Sequence, residues 1–266
     1  MTTAPMTSAS PETVNAVGIG CSDWLDAIHC ADCMEVLSEL PDKSVDAVIT
    51  DPPYGVTQNE WDSMPDLAAW WKEIRRICKG AVVMTAQQPF TSLVVVANLD
   101  WFKWADVWRK SQARGHLNAK VMPMRQHEDI LIFGSGRVTY NPQWQPKPKE
   151  NIRPLSPRTK GSSNYGAHGL EQTREMPIDM ACPRSVVEYD NCQEWLHPTQ
   201  KPIELMRYLV ETYTNPGDVV LDCYAGSGTT LVACKQTGRH YIGIEKEQRY
   251  AEIGNARLHQ ELPLGV

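Results

Sequence analysis

Apolar residues along this chain gather in short, near-continuous runs. Between the runs, apolar positions recur every three or four residues. The first pattern fits strands buried on both faces, and the second fits helices lying against them. "DAIHC" (26–30) predicts a strand and "MEVLSEL" (34–40) a helix stopped by Pro41. "VDAVIT" (45–50) predicts a second strand. "DLAAWWKEIRRICKG" (66–80) sets Leu67, Trp70, Trp71, Ile74 and Ile77 on one helical face and ends at Gly80. "AVVMT" (81–85), "WADVWR" (104–109) and "DILIF" (129–133) predict three more strands. After an interruption, "PIELMRYLVETYT" (202–214) predicts a helix opened by proline. Strand "DVVLDCY" (218–224), loop "AGSGTT" (225–230), helix "LVACKQTG" (231–238), strand "HYIGIE" (240–245) and helix "EQRYAEIGNARL" (247–258) follow. Such alternation predicts an α/β fold: a doubly wound, mostly parallel sheet with right-handed crossovers and helices on both faces.

The interruption spans about 134 to 196, where Pro, Gly, Ser, Asn and Lys dominate and no period survives. A stretch this long is expected to be either functional or disordered. Charge supports the first reading. Residues 103–170 hold 12 Lys and Arg against 4 Asp and Glu, whereas the rest of the chain holds 14 against 28. The net charge of −6 hides this asymmetry, which suits a module facing a polyanion. The expected organisation is a polar, disordered tail (1–20), one core in two sequence halves (21–133 and 197–260), and an irregular insert (134–196) with basic residues from about 103.

Composition narrows the class further. With 42% hydrophobic and 22% charged residues, the chain has the make-up of an ordinary globular protein. No apolar run reaches the length of a membrane span, and the first residues lack the basic start and apolar block of a secretory signal. The eight cysteines sit mostly in apolar or helical contexts, as reduced thiols do in a cytoplasmic protein. Cys30 and Cys33 have CxxC spacing without the second pair a zinc site needs, so no metal is expected.

Two stretches carry candidate chemistry. Asp51-Pro52-Pro53-Tyr54-Gly55 follows the strand at 45–50. The prolines end the strand, because each lacks a backbone donor and has its φ fixed. A stiff loop results, with Asp51 at its lip and Tyr54 just beyond. The second stretch, "DCYAGSGTT" (222–230), is a strand end, a glycine loop and a helix start. Gly226 and Gly228 allow close backbone approach to a ligand. Glu245 ends the next strand, 23 residues after Asp222, where an acid grips a nucleoside ribose. The third glycine of a dinucleotide loop is absent, as is the lysine of a P-loop. A nucleoside without a pyrophosphate fits better, and S-adenosylmethionine is the leading candidate.

"DPPYG", "HPTQKPIELMRYLV", "DCYAGSGTT" and "YIGIE", in this order, resemble the amino DNA methyltransferases that modify adenine N6 or cytosine N4. The order, with the acidic motif before the glycine loop, is that of the permuted beta group. The resemblance covers roughly residues 24–135 and 184–258. It implies the Rossmann-like methyltransferase fold, S-adenosylmethionine as cofactor, and duplex DNA with a flipped base as substrate. It implies that the Asp51 carboxylate and the Pro52 carbonyl accept hydrogen bonds from the target amine, with Pro53 stiffening the loop and Tyr54 stacking on the base. By the same resemblance Asp222, Cys223, Tyr224, Gly226, Gly228 and Thr229 line the cofactor, Glu245 takes its ribose, Asp32 meets its adenine, and Thr199 and Lys201 face its carboxylate. The family usually reads Asp-Pro-Phe where this chain has Asp222-Cys223-Tyr224. On this resemblance the basic middle, with the insert at 134–196, is expected to be the target-recognition region, and Lys110, Arg114, Lys120, Arg125 and Arg137 are its expected contacts to DNA phosphates or guanine edges. His127 and Glu128 read as structural.

Asp51 favours adenine N6, since the cytosine group more often carries serine there. Cytosine N4 remains the nearest alternative. RNA or protein methylation, a catalytically dead DNA-binding relative and a nicotinamide dehydrogenase are more distant. The resemblance also leaves open a homodimer and a cognate restriction enzyme as partners.

Overall fold

The computed structural model describes residues 21–55, 63–148, 152, 179–191 and 199–260. The predicted tail, most of the predicted insert, and His197 and Pro198 lie outside them. One eight-stranded sheet organises the described residues, in the order β1-β10-β9-β2-β3-β5-β4-β8. In chain order its parts are β1 (Ala27–Cys30), α1 (Cys33–Glu39), β2 (Ala47–Thr50), α2 (Leu67–Ile77), β3 (Ala81–Ala86), α3 (Phe90–Ala97), β4 (Phe102–Arg114) and β5 (Arg125–Gly134). A small ladder of β6 (Gln145–Pro146) and β7 (Met180–Ala181) stands apart from the sheet. The chain rejoins it through β8 (Val186–Tyr189), α4 (Ile203–Tyr213), β9 (Val219–Asp222), α5 (Thr229–Gln236), β10 (His240–Glu245) and α6 (Gln248–His259).

The central strands β1, β10, β9, β2 and β3 are mutually parallel. β5 is antiparallel to both β3 and β4, and β8 closes the edge parallel to β4. The sheet is buried on both faces, as the apolar runs require. Ile49, Val83, Ile130 and Ile132 pack with Leu205, Leu209 and Leu231 on one side. Val48, Val82, Leu131 and Phe133 pack with Leu37, Trp70, Ile74 and Ile77 on the other. The helix ends follow local chemistry. Asp66 caps α2 by accepting from the Ala68 and Ala69 N–H groups at 3.0 and 3.2 Å.

The two sequence halves meet where β2 lies beside β9, with Val48 opposite Leu221. Asp46 ties the start of this seam, accepting from the Val219 N–H at 2.9 Å through its carboxylate. Strand order runs one way from β9 to β10 and β1, and the other way from β2 to β3. A crevice therefore opens beyond the carboxyl ends of β2 and β9, the place where ligands bind in open α/β sheets. "DPPYG" leaves β2 at that point and the glycine loop leaves β9 beside it.

Besides the small β6–β7 ladder, which lies inside the stretch read as an irregular insert, two elements differ from the sequence expectation. The apolar pattern does not announce α3: its residues Leu93 to Val96 lack a helical period, and only Phe90 and Val94 are buried. β8 lies inside the stretch read as an insert. It joins the sheet through backbone pairing with Val107 to Lys110, which four residues of local pattern do not announce.

Candidate active site

A cavity of about 1000 Å³ occupies the crevice. Its walls include Asp32, Asp51, Tyr54, Lys110, Glu128, Lys201, Asp222, Gly226 and Glu245. Residues from both sequence halves therefore face one space.

Asp51 is held by three donors. Its Oδ1 accepts from the Tyr54 hydroxyl at 2.7 Å and from the Thr85 hydroxyl of β3. Its Oδ2 accepts from the Lys201 ammonium, 150 residues away in sequence. A carboxylate offers about four lone-pair directions, so one remains on Oδ2. The Tyr54 ring stacks on Phe90 with centroids 5.6 Å apart, which fixes its plane. Burial, with Asp51 and Glu128 nearby, pushes its hydroxyl well above the ordinary tyrosine range. Tyr54 therefore donates and stays neutral.

Lys201 touches a second carboxylate, Glu128 of β5, at 3.6 Å. Glu128 also accepts from the Lys110 ammonium and from the Gln87 amide at 2.9 Å. The result is a buried cluster of two acids and two lysines. Burial pulls Lys201 down, but Asp51 and Glu128 outweigh it and hold the ammonium above the usual lysine range. Burial pushes Glu128 up, but Lys201 and Lys110 reverse the shift and hold it below the usual range.

Asp222 lies just across the seam. Its Oδ1 accepts from the Thr50 hydroxyl at 2.7 Å and from the Tyr224 N–H at 3.1 Å. Full burial raises its pKa to about 6 despite those donors. Gly226 and Gly228 both have positive φ, 51° and 77°. The turn they form directs the Gly226 N–H at Glu245 Oε2, 2.8 Å away, while Glu245 Oε1 accepts from the Glu247 N–H at 2.8 Å. Burial raises the Glu245 carboxyl above its ordinary value. Asp32 caps α1 through the Met34 N–H at 2.9 Å and pairs with Lys246 at 3.3 Å.

Of the residues singled out in sequence, Asp32, Asp51, Pro52, Pro53, Tyr54, Thr199, Lys201, Asp222, Cys223, Tyr224, Gly226, Thr229 and Glu245 line this one cavity. Gly228 sits directly behind it as the N-cap of α5. Lys201 reaches the Asp51 side of the cavity. Lys110, read as a phosphate contact, is buried against Glu128. Arg114 and Arg125 line the cavity mouth, and Lys120 is exposed in the loop between them. Arg137 lies past Gly134, which pairs with Ala81 at the opposite end of β3. An antiparallel strand separates its two ends, so Arg137 is not at this mouth. Glu128 and Thr85 are the residues the motifs miss. Their side chains reach Asp51 and its partners only because β3 and β5 pair beside β2.

The chemistry of this wall suits a nucleoside with a cationic centre. Asp222 and Glu245 end neighbouring strands, with Asp222 opposite Gly243, and place two acids along one side of the space. Comparison with known proteins agrees. A DNA methylase family of the N6/N4 type matches residues 45–256. The type II methyltransferase M.HinfI of Haemophilus influenzae is 28% identical over 270 residues, covering 91% of this chain and 70% of the relative. The type II methyltransferase M1.MboII of Moraxella bovis is 26% identical over 263 residues, covering 89% and 97%. The crystal structure of the M1.HpyAVI–SAM complex superposes with a TM-score of 0.58 at 26% identity, covering 87% of this chain and 98% of that one. With its acidic strand-end motif, its glycine loop and its matched span, the chain belongs to the DNA methylase family: it is an S-adenosylmethionine-dependent amino DNA methyltransferase.

Proposed function

We propose that this enzyme methylates the exocyclic N6 of adenine in duplex DNA, on a base swung out of the helix into the cavity. One observation carries the reading: Asp51 stands beside the cofactor wall with a single lone-pair direction of Oδ2 left over. An exocyclic amine has two N–H groups. Asp51 Oδ2 takes one, and the Pro52 carbonyl, held by the rigid Pro52-Pro53 pair, takes the other. Two such acceptors draw the nitrogen out of conjugation with the ring and free its lone pair.

The bound cofactor supplies an electrophilic methyl group on its sulfonium. Everything else is supplied by the chain. Glu245 and Asp32 hold the nucleoside, with Gly226 and Gly228 letting the backbone come close. Asp222 places negative charge on the same wall, and Thr199 contributes a hydroxyl. Tyr54, its plane set by Phe90, stacks on the target base and replaces part of the stacking lost from the duplex. The N–C bond would form as the methyl–sulfur bond breaks, leaving a neutral thioether, and the amine would shed one proton toward Asp51 Oδ2, which already accepts one of its N–H groups. Lys201, its ammonium held above the usual lysine range, stays protonated throughout and keeps Asp51 in place. Arg114, Lys120 and Arg125 hold the phosphates around the mouth, and the insert at 134–196, whose first part continues the basic excess of residues 103–170, reads sequence. Asp51 is the ground for choosing adenine over cytosine N4.

Purified protein, labelled S-adenosylmethionine and mixed-sequence duplex DNA, followed by nucleoside mass analysis, test this reading. The expected product is N6-methyladenine, lost in Asp51→Ala while cofactor binding survives. N4-methylcytosine would keep the mechanism and overturn the base assignment. No label in any DNA would overturn the function.

A further inference from the structure

We infer that the tip of the β4–β5 hairpin is an apolar wedge that enters the base stack and fills the gap left by the extruded base. This rests on the base-extrusion reading above and adds the element that performs it.

β4 and β5 outrun their neighbours. β5 pairs with β3 only as far as Asp129, opposite Ala86, whereas β4 and β5 continue to Arg114 opposite Arg125. The hairpin therefore projects beyond the sheet at the edge where Asp51 sits. Gly115, Asn118, Met122 and Pro123 of its tip line the same cavity as Asp51 and Tyr54. Two other tip residues point away into solvent: Leu117 is 87% exposed and Val121 83%. They are the most exposed large apolar side chains among the described residues. Leaving both in water has a cost that burial would remove.

The surrounding charge identifies the occupant. No acidic residue occurs between Val107 and His127, while Arg114, Lys120 and Arg125 frame the tip. A second copy of this hairpin would be repelled by that charge. A polyanion with an apolar interior suits it: cations on the phosphates and the leucine and valine between bases. Apolar wedges of this kind insert at base steps and unstack them. The cavity beside the wedge then receives the displaced base.

The double variant Leu117→Ser/Val121→Ser in the full chain tests this. The target sequence is first mapped by sequencing the methylated positions of DNA treated with wild-type enzyme. Two duplexes then carry that target, one normally paired and one with the target base opposite an abasic position. On the paired duplex the variant's single-turnover rate is expected to fall about tenfold or more, since extrusion there breaks pairing and stacking. On the abasic duplex it is expected to stay close to wild type, with cofactor affinity and melting temperature unchanged. Equal rates on the paired duplex, or equal losses on both, would overturn the wedge. So would conversion of a wild-type dimer to a monomer on sedimentation, which would make the tip a protein interface. Wild-type protein that labels no DNA would instead sink the function reading, and the wedge with it.

Discussion

Replacing Glu128 by glutamine is the sharpest probe of the buried charge cluster. The substitution keeps shape and removes one charge. Lys110 and Lys201 then share a buried space with Asp51 as their sole nearby anion. Lys110 is affected most. Its side chain is 10% exposed, and Glu128 is its paired carboxylate. Removing one partner of a buried pair costs about 3–5 kcal/mol, because the other charge stays desolvated and uncompensated. For a domain of this size that lowers the melting temperature by about 10 °C. Lys110→Met alone leaves Glu128 with Lys201 and should cost less. The double variant Lys110→Met/Glu128→Gln removes the stranded charge together with its partner. Its cost should fall short of the sum of the single variants by about 2 kcal/mol. Urea denaturation of the four proteins at pH 7.5 gives each term, provided the slopes agree. The gap between wild type and Glu128→Gln also depends on pH. The Glu128 pKa is depressed in the folded state, so its stabilisation is present above the ordinary carboxylate value of 4.5 and fades as pH falls through the folded value. Single-variant costs that simply add, or a gap that does not shrink as the solution is acidified, would refute the account of a mutually supporting buried cluster.

Other consequences follow from the same geometry. The Asp222 pKa is raised from 3.8 to about 6, so the stability it permits is full below pH 4 and lost as pH rises through 6. Asp222→Asn escapes that loss and should gain about 3 kcal/mol relative to wild type between pH 4 and pH 7, read from urea midpoints. A flat difference would count against the buried acid. Glu245→Gln presents an amide to the Gly226 and Glu247 N–H groups and loses the charge-assisted grip on the ribose. Calorimetry should show S-adenosylmethionine binding weakened by about 10- to 100-fold, and unchanged affinity would remove Glu245 from the cofactor wall. Lys120→Ala and Arg125→Ala should each reduce the slope of log affinity for DNA against log salt by about one, whatever the sequence of the duplex. An unchanged slope would take those two cations off the phosphates.

Much of this protein is legible in order along the chain because its signals are local. A buried parallel strand must be apolar nearly throughout, so β2, β3 and β10 declare themselves. Pro52 and Pro53 end β2 whatever surrounds them, and the Gly226–Gly228 turn needs no distant partner to be recognised. Asp51, Asp222 and Glu245 therefore fall at strand ends on local pattern alone, and their convergence follows from the rule that those ends share one edge. α3 is not legible in this way because most of its apolar residues stay exposed and leave no periodic stripe. Nor is β8, because a short edge strand is defined by its neighbour.

Apart from Tyr54 in its own loop, tertiary structure alone decided what Asp51 is bonded to. Thr85 lies 34 residues on, Lys201 lies 150 residues on, and Glu128 joins through Lys201 and Tyr54. No local pattern marks any of them as partners. In sequence Glu128 reads as structural and Lys201 as a contact for the cofactor, because a charged side chain discloses nothing about its counterion until the strands pair. The same is true of Leu117 and Val121, whose exposure depends on β4 and β5 outrunning β3. Sequence sets which residues end each strand, since that depends on backbone chemistry within a few positions. Which charges then share a low-dielectric space depends on strand order and register, and those exist only once the sheet has formed.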